Sequence, residues 1–346
     1  MADLTFAVIG AGFMGRNLAR AGVALPYARC VGVADLDEAR AQDLATQCGA
    51  RAYRDYETML ARERPDAVII ATPETHHREP AVAAAQACCS LLVEKPLATT
   101  LQDADAILGA CAQAGTQLMT GYILRFEPAY ALIQAAVAEG SIGQFLSAYA
   151  RRNASIREAR RLGGRCSVLT YLAVHDLDQI LWYHPVPVTR VYARGLCGRV
   201  WQELGVHDYT WTQVEFADGA LGVVESGWGL PETWAAWRQP QVWGGFGDVQ
   251  MNVVGTEGVL NLNFTPMDLR ACDQEGWKFP DTRHWPQMRS QVAGAVKLEV
   301  EHFFTCVLEG KEPLVTGLDG RRSLEVALAA QRSIEEGMPV SLPLQP

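Results

Sequence analysis

No stretch of this chain is apolar for long enough to cross a bilayer, and no charged leader stands ahead of the first apolar strand candidate, which opens at Thr5. Neither membrane insertion nor secretion is expected. Positive charge is also scarce: 30 Lys and Arg face 39 Asp and Glu, a formal net charge of −9. That balance excludes a chain-wide footprint for nucleic acid or an anionic membrane and favours small-molecule chemistry. The nine cysteines, Cys30, Cys48, Cys88, Cys89, Cys111, Cys166, Cys197, Cys272 and Cys306, contain no C-x-x-C pair. They read as reduced, mostly buried thiols of a cytoplasmic protein, not as a metal or disulfide framework. Internal repeats and low-complexity segments are lacking too. What the 346 residues do have is an apolar half (49%) and a charged fifth (20%), enough to bury a large core divided between two domains.

The chain begins in earnest with Thr5-Phe6-Ala7-Val8-Ile9-Gly10-Ala11-Gly12-Phe13-Met14-Gly15, an apolar strand running into G-x-G-x-x-G. Gly10 permits the tight strand-to-helix turn, Gly12 lets the backbone approach a pyrophosphate, and Gly15 lets the helix pack on the strand. Phe13 and Met14 fall at the start of that helix, where unpaired N–H groups face the phosphates. Asp35 ends a second apolar strand, Val31-Gly32-Val33-Ala34, twenty residues after Gly15. A carboxylate there accepts hydrogen bonds from the adenine-ribose hydroxyls and repels a 2′-phosphate, so NAD is expected over NADP.

Further strand candidates at Ala67–Ala71, Leu91–Val93 and Gln117–Gly121 alternate with helical patterns at Asp37–Cys48, Asp55–Ala61, His76–Cys88 and Thr100–Ala114. Such alternation predicts a doubly wound parallel sheet, an α/β Rossmann domain over residues 1–121. Gly49 and Gly115 suit left-handed helix caps. Residues 122–346 read differently, as an α+β domain with a mostly antiparallel sheet. Strand patterns recur at Phe145–Arg152, Val188–Arg194, Thr210–Phe216, Ala220–Gly227, Asp248–Gly255 and Gly258–Asn263, with hairpin turns at Asp218-Gly219 and Glu257-Gly258. Helical patterns cover Ser167–Tyr183, Lys297–Glu309 and Asp319–Glu336.

Three more motifs complete the pattern. Ala71-Thr72-Pro73-Glu74-Thr75-His76 follows the fourth strand, Glu94-Lys95-Pro96 the fifth, and His175-Asp176-Leu177-Asp178 lies on the helix of the second domain. With the glycine motif, the Gly121-Tyr122-x-x-Arg125-Phe126-x-Pro128 junction and the closing Ala327–Pro343 segment, they resemble the glucose–fructose oxidoreductase / inositol dehydrogenase / rhizopine-catabolism (Gfo/Idh/MocA) family. The resemblance covers essentially the whole chain. It implies an NAD-carrying Rossmann domain and a second domain whose open-faced sheet builds homodimers or homotetramers. It also implies hydride transfer at a hydroxyl or carbonyl carbon of a sugar, cyclitol or related polyol.

By the same resemblance, Thr72, Pro73, His76, Glu94 and Lys95 would line the cofactor, while Lys95, Tyr122, Arg125, Tyr171, His175 and Asp178 would meet the substrate. Lys95 would stand beside the nicotinamide, its ammonium stabilising alkoxide charge; a lysine at a strand end can also simply face solvent. His175, with an ordinary pKa of about 6.5, suits a general acid–base, and Asp178 one turn on can orient it or hold a hydroxyl. Among Leu172, Ala173, Val174 and Leu177 the same histidine also suits a hydrogen-bonded core. One position departs from the family: Tyr171, four residues before His175, stands where an aspartate usually completes a Lys/Asp/His set with Lys95 and His175. A phenol carries no charge at neutral pH. Three ways out remain: Tyr171 contacts substrate itself, Asp176 or Asp178 supplies the carboxylate, or the reaction runs toward reduction.

Thr75 suits the N-cap of the next helix and His77 a solvated helix face. No metal site is expected, since His175, Asp176 and Asp178 point to different helical faces. Arg151, Arg152, Arg157, Arg160, Arg161 and Arg165 form a local cationic run that reads either as an anion site on the substrate side or as a solvated or subunit-contact surface. Tryptophans between Trp228 and Trp285, including Trp234, Trp237, Trp243 and Trp277, suit sugar stacking or sheet packing equally. Alternative functions are reduction of a carbonyl, imine or enone, redox-neutral NAD-dependent glycoside cleavage, and a non-catalytic NAD-binding sensor.

Overall fold

The computed structural model describes residues 4–232, 247–264, 269, 271–274, 276–278, 281–288 and 291–344. They divide into two compact units: Met1–Glu127 with Arg283–Arg321, and Pro128–Thr282 with Arg322–Pro346.

The first unit carries six strands, β1 (Leu4–Ile9), β2 (Ala28–Ala34), β3 (Arg51–Tyr53), β4 (Ala67–Ile70), β5 (Ser90–Glu94) and β6 (Leu118–Gly121). All neighbours pair in parallel, in the order β3-β2-β1-β4-β5-β6. The crossovers are α1 (Phe13–Val23), α2 (Glu38–Cys48), α3 (Tyr56–Glu63), α4 (Arg78–Gln86) and α5 (Leu101–Ala114). Helices on both faces explain the unbroken apolar strands: Phe6, Val8, Val68, Ile69, Leu91 and Val93 are all buried. Strand order reverses between β1 and β4, so the crevice for a ligand opens at the carboxyl ends of those strands. Helix ends follow local chemistry. Asp37 accepts the N–H groups of Ala39 and Arg40, Thr100 that of Asp103, and Gly49 and Gly115 close α2 and α5 at φ of 66° and 67°.

The segment from Pro128 onward supplies α6 (Pro128–Ala138), β7 (Phe145–Ser155), α7 (Ile156–Leu162), α8 (Val174–Tyr183), β8 (Val188–Leu196), α9 (Arg199–Leu204), β9 (Tyr209–Phe216), β10 (Leu221–Leu230), β11 (Asp248–Gly255) and β12 (Val259–Asn263). Two short hairpins, β13 (Ala271–Asp273) with β14 (Gly276–Lys278) and β15 (Gln287–Met288) with β16 (Gln291–Val292), precede α10 (Ala295–Glu309), α11 (Gly317–Glu336) and β17 (Val340–Ser341). The second sheet runs β12-β11-β7-β10-β9-β8-β17, parallel at β7/β10 and antiparallel elsewhere. One face buries Ala148, Ala150, Val191, Val214, Val224 and Met251. Its other face carries Tyr149 stacked on the exposed Trp211.

Several expectations need correction. Residues 283–321 return to the compact unit that holds Met1–Glu127. Phe304 of α10 lies 4.9 Å from the Phe6 ring, and Gln117 Nε2 donates to the carbonyls of Cys306 (3.0 Å) and Lys311 (2.6 Å). The helix expected from His76 is a 3₁₀ turn, Glu74–His76, followed by α4; Thr75 does not cap it, since its hydroxyl pairs with His76 Nδ1 at 2.8 Å. The helix expected over Ser167–Tyr183 opens with a π-helical turn, Leu169–Ala173. That wider turn accompanies a change of partners, with Val168 and Leu172 joining Ile156, Leu162, Val200 and Trp228 in one core cluster. The thiols are less uniformly buried than expected: Cys88 and Cys197 are exposed, Cys48 and Cys166 half-buried, and Cys30, Cys89, Cys111 and Cys306 buried. Trp228 and Trp285 are core residues, whereas Trp234, Trp237 and Trp243 lie outside the described residues.

Candidate active site

The glycine loop is shaped by close backbone approaches. Gly10 has φ +98°, and a Cβ there would sit 2.6 Å from the Ala71 carbonyl; a Cβ on Gly15 would sit 1.9 Å from Gly10 O. Both positions therefore need glycine. A Cβ on Gly12 would meet nothing within 4 Å, and no side chain caps the α1 N-terminus beside it. Open space next to an uncapped helix start fits the pyrophosphate of a dinucleotide. Asp35 is drawn toward the same loop: Oδ2 accepts the Ala11 N–H at 2.7 Å and Oδ1 that of Asp37 at 2.8 Å. Phe13 turns its ring edge to Trp285 at 5.5 Å, and Met14 is half-buried.

The loop after β4 holds a residue that the sequence reading misjudged. Thr72 Oγ1 donates to His76 O at 2.9 Å, while Pro73 and His76 are exposed. His77, expected on a solvated face, is 1% exposed, with Nδ1 2.9 Å from Pro96 O and Nε2 3.0 Å from Thr72 O. Burial pulls the imidazole pKa down, against the opposing pull of the Thr72, Pro96 and Leu97 carbonyls. His77 thus ties the loop after β4 to the loop that carries Lys95. Its signal lay in helical spacing: Pro80, Ala81 and Ala84, three, four and seven residues on, form the buried stripe of α4.

Lys95 is the first residue past β5, half-buried and joined to Pro96 by a cis peptide. Glu94 before it is 7% exposed, and its Oε2 accepts the Lys95 N–H at 3.1 Å. Burial raises the Glu94 carboxyl to about 7 against the pull of the Lys95 ammonium. Tyr122 and Arg125 are both buried. The Arg125 guanidinium donates to Leu314 O at 3.2 Å and pairs with Asp319 at 3.5 Å, which anchors the 3₁₀ turn Ile123–Phe126.

In the second unit, Tyr171, His175 and Asp178 follow one another along the π turn and α8. The Tyr171 hydroxyl donates to Glu158 Oε1 and accepts from Arg161 Nη2, both at 2.7 Å, and its ring packs on Trp228. Burial and the Glu158 charge hold this phenol well above its ordinary pKa, so it stays neutral with its proton committed to Glu158. Asp176 is fully buried and gripped by Arg152 through two hydrogen bonds of 2.7 and 2.9 Å, so it is not open to replace the absent aspartate. Asp178 lies one turn from His175, buried, and its Oδ2 accepts the Gln179 amide at 3.1 Å. Glu158 is the carboxylate that the sequence reading missed; three residues before Arg161, it bonds both that residue and Tyr171.

The cationic run is largely neutralised within the unit. Arg151 pairs with Asp248, Arg152 with Asp176, Arg160 with Glu203 and Glu232, and Arg161 with Glu158. Among the described residues no cluster of three or more His, Cys, Asp or Glu is arranged to hold a metal ion, and no helix is long and apolar enough to cross a membrane.

Comparison with known proteins agrees with this geometry. Residues 4–122 match the Gfo/Idh/MocA model described as an oxidoreductase family with an NAD-binding Rossmann fold, and residues 134–342 match its C-terminal alpha/beta domain. The chain is 30% identical to scyllo-inositol 2-dehydrogenase (NAD(+)) of Bacillus subtilis, over 97% of this chain and 95% of that one. It is 29% identical to D-apiose dehydrogenase of Paraburkholderia graminis, over 97% and 89%. It shares its fold with scyllo-inositol dehydrogenase of Lactobacillus casei, a structure with bound NAD(H) and scyllo-inositol, at TM-score 0.83 and 20% identity, covering 98% of each chain. The uncapped glycine loop, Asp35 at the end of β2 and the two-domain match together place this chain in the Gfo/Idh/MocA family of NAD-binding oxidoreductases.

Proposed function

We propose that the protein is an NAD-dependent dehydrogenase that oxidises a ring hydroxyl of a cyclitol, sugar or related polyol. The observation that carries this reading is the full-length similarity to scyllo-inositol 2-dehydrogenase, with Lys95 and the His175–Asp178 pair present in the chain. Gly10, Gly12, Phe13, Met14, Gly15, Asp35 and the Thr72 loop would hold NAD, which when bound supplies the hydride acceptor. Lys95 offers an ammonium to the substrate oxygen as it gains alkoxide character, and His175 takes the hydroxyl proton. Asp178 orients His175 or receives a second hydroxyl. Tyr171, bound to Glu158 and Arg161, shapes the wall of that region and is not a proton donor in this arrangement. The free thiols support a cytoplasmic setting, and the Tyr149–Trp211 face of the second sheet supports a homodimer or homotetramer.

The test is formation of NADH, read by its near-ultraviolet absorbance, across a panel of cyclitols, sugars, uronic acids and glycosides. Turnover of one ring stereochemistry supports the reading. Tight NAD binding with no NADH across the panel removes it in favour of redox-neutral cleavage or a sensor. Cofactor choice has its own check. Asp35→Ala is expected to weaken NAD and relatively improve NADP, because the carboxylate that accepts ribose hydroxyls and repels a 2′-phosphate is gone. Isothermal titration with both dinucleotides measures this, and an unchanged preference would remove Asp35 from cofactor selection.

A further inference from the structure

A buried ion pair adjoins His175. Asp176 follows that histidine directly in the first turn of α8, and it is 0% exposed. Arg152, also buried, lies in β7, in register with Ser226 of β10 on one side and Val249 of β11 on the other, so it stands well inside the second sheet. Its Nε donates to Asp176 Oδ2 at 2.7 Å and its Nη2 to Oδ1 at 2.9 Å. Two parallel bonds from a planar guanidinium to a planar carboxylate fix orientation as well as distance. Nη2 donates in addition to the Tyr130 hydroxyl of α6 at 3.1 Å, and the Tyr130 carbonyl accepts the hydroxyl of Tyr183, at the far end of α8, at 3.3 Å. One guanidinium thus joins β7, α6 and α8, and α8 is tied near both of its ends.

Stability alone is a poor reason for such a pair. Taking both charges out of water offsets most of their attraction, and apolar residues of similar volume commonly serve as well. Orientation is a better reason, because the chain upstream does not set the rotation of α8 by itself. Val168, Leu172 and Tyr171 are held by the cluster around Trp228, but all three precede His175 and lie before or within the π turn Leu169–Ala173. A π turn is wider than an α turn and interrupts the regular ladder, so it is a point at which helical register can slip. Successive α-helical residues stand about 100° apart, so turning Asp176 onto β7 also sets the directions of His175 and Asp178. We propose that Arg152 and Asp176 are positioning residues, their two-bond pair fixing the rotation of α8 past the π turn and so aiming His175 and Asp178 at the substrate. The inference rests on the assignment of His175 and Asp178 to the reaction, but one arm of its test needs no turnover.

The experiment compares the native full chain with the double variant Arg152→Met, Asp176→Leu, which removes both charges together, and with Arg152→Lys, which keeps the charge and loses the planar fork. Denaturant unfolding establishes first that each variant is folded. Amide hydrogen exchange, read by mass spectrometry over residues 174–178, reports on the first turn of α8 without turnover. Steady-state kinetics with the polyol found in the panel, together with titration of NAD, report on the aim of the side chains. In the double variant, exchange over residues 174–178 is expected to be about tenfold faster. Its kcat is expected to fall by about tenfold to a hundredfold while NAD affinity stays within a few-fold, with Arg152→Lys moving in the same direction by less. A folded double variant with exchange or kcat at the native value would overturn the proposal, because a pair that only stabilised the core would leave both in place. Should the double variant not fold, Arg152→Lys decides by the same two measurements. A native protein that oxidises no polyol removes the dehydrogenase reading; faster exchange in the variants then still supports the anchor of α8, and unchanged exchange overturns it.

Discussion

Lys95→Met should lower turnover by about a hundredfold or more while leaving NAD affinity within a few-fold. The ammonium matters most when the substrate oxygen carries developing negative charge, so its loss is felt in the transition state more than in the bound ground state. Methionine keeps the length and apolar stem of lysine, and the neighbouring Glu94 carboxyl still holds the backbone N–H of residue 95. Steady-state kinetics with the substrate found in the panel, together with titration of NAD, separate the two effects. Unchanged kcat removes Lys95 from the chemistry; a parallel collapse of NAD binding would make it a cofactor ligand first.

The largest expected effect on stability lies at Asp176. Its carboxylate is fully buried and takes two hydrogen bonds from Arg152, which also donates to the Tyr130 hydroxyl at 3.1 Å. Burial alone would push Asp176 toward the neutral acid, and the Arg152 charge opposes that. Asp176→Asn leaves the guanidinium buried without a counter-charge and should cost about 3–5 kcal/mol. Replacing both partners by apolar residues, Arg152→Met with Asp176→Leu, should recover most of that loss. Denaturant unfolding of the three proteins at one pH measures both statements. Equal midpoints for the native protein and Asp176→Asn would show that water or another group carries the Arg152 charge.

The parts of the fold fixed by short-range sterics were legible in the sequence. Gly10 and Gly15 are dictated by atoms within a few ångströms, and Asp37, Gly49, Thr100 and Gly115 satisfy helix ends through groups two to four residues away. The parallel sheet followed from alternating apolar runs for the same reason. What escaped notice depends on partners distant in the chain. Arg151 and Arg160 looked like a cationic surface because Asp248, Glu203 and Glu232 could not be seen approaching them. His77 was hidden by a choice between two adjacent histidines, settled only by which one falls on the Pro80–Ala84 stripe. The π turn before His175 also lacks a marker, since no proline or glycine interrupts Leu169–Ala173.

The return of residues 283–321 to the first unit has a consequence for anyone wishing to isolate the nucleotide-binding half. A fragment ending at Glu127 would lose Phe304 from over Phe6, leave the Gln117 amide without the Cys306 and Lys311 carbonyls, and strip Asp319 from Arg125. A workable excision has to be discontinuous, joining Met1–Glu127 to Arg283–Arg321 by a designed linker. The Rossmann half is thus sewn shut by a thread that first travels through residues 128–282, and its final closure during synthesis waits until residue 321 has been made.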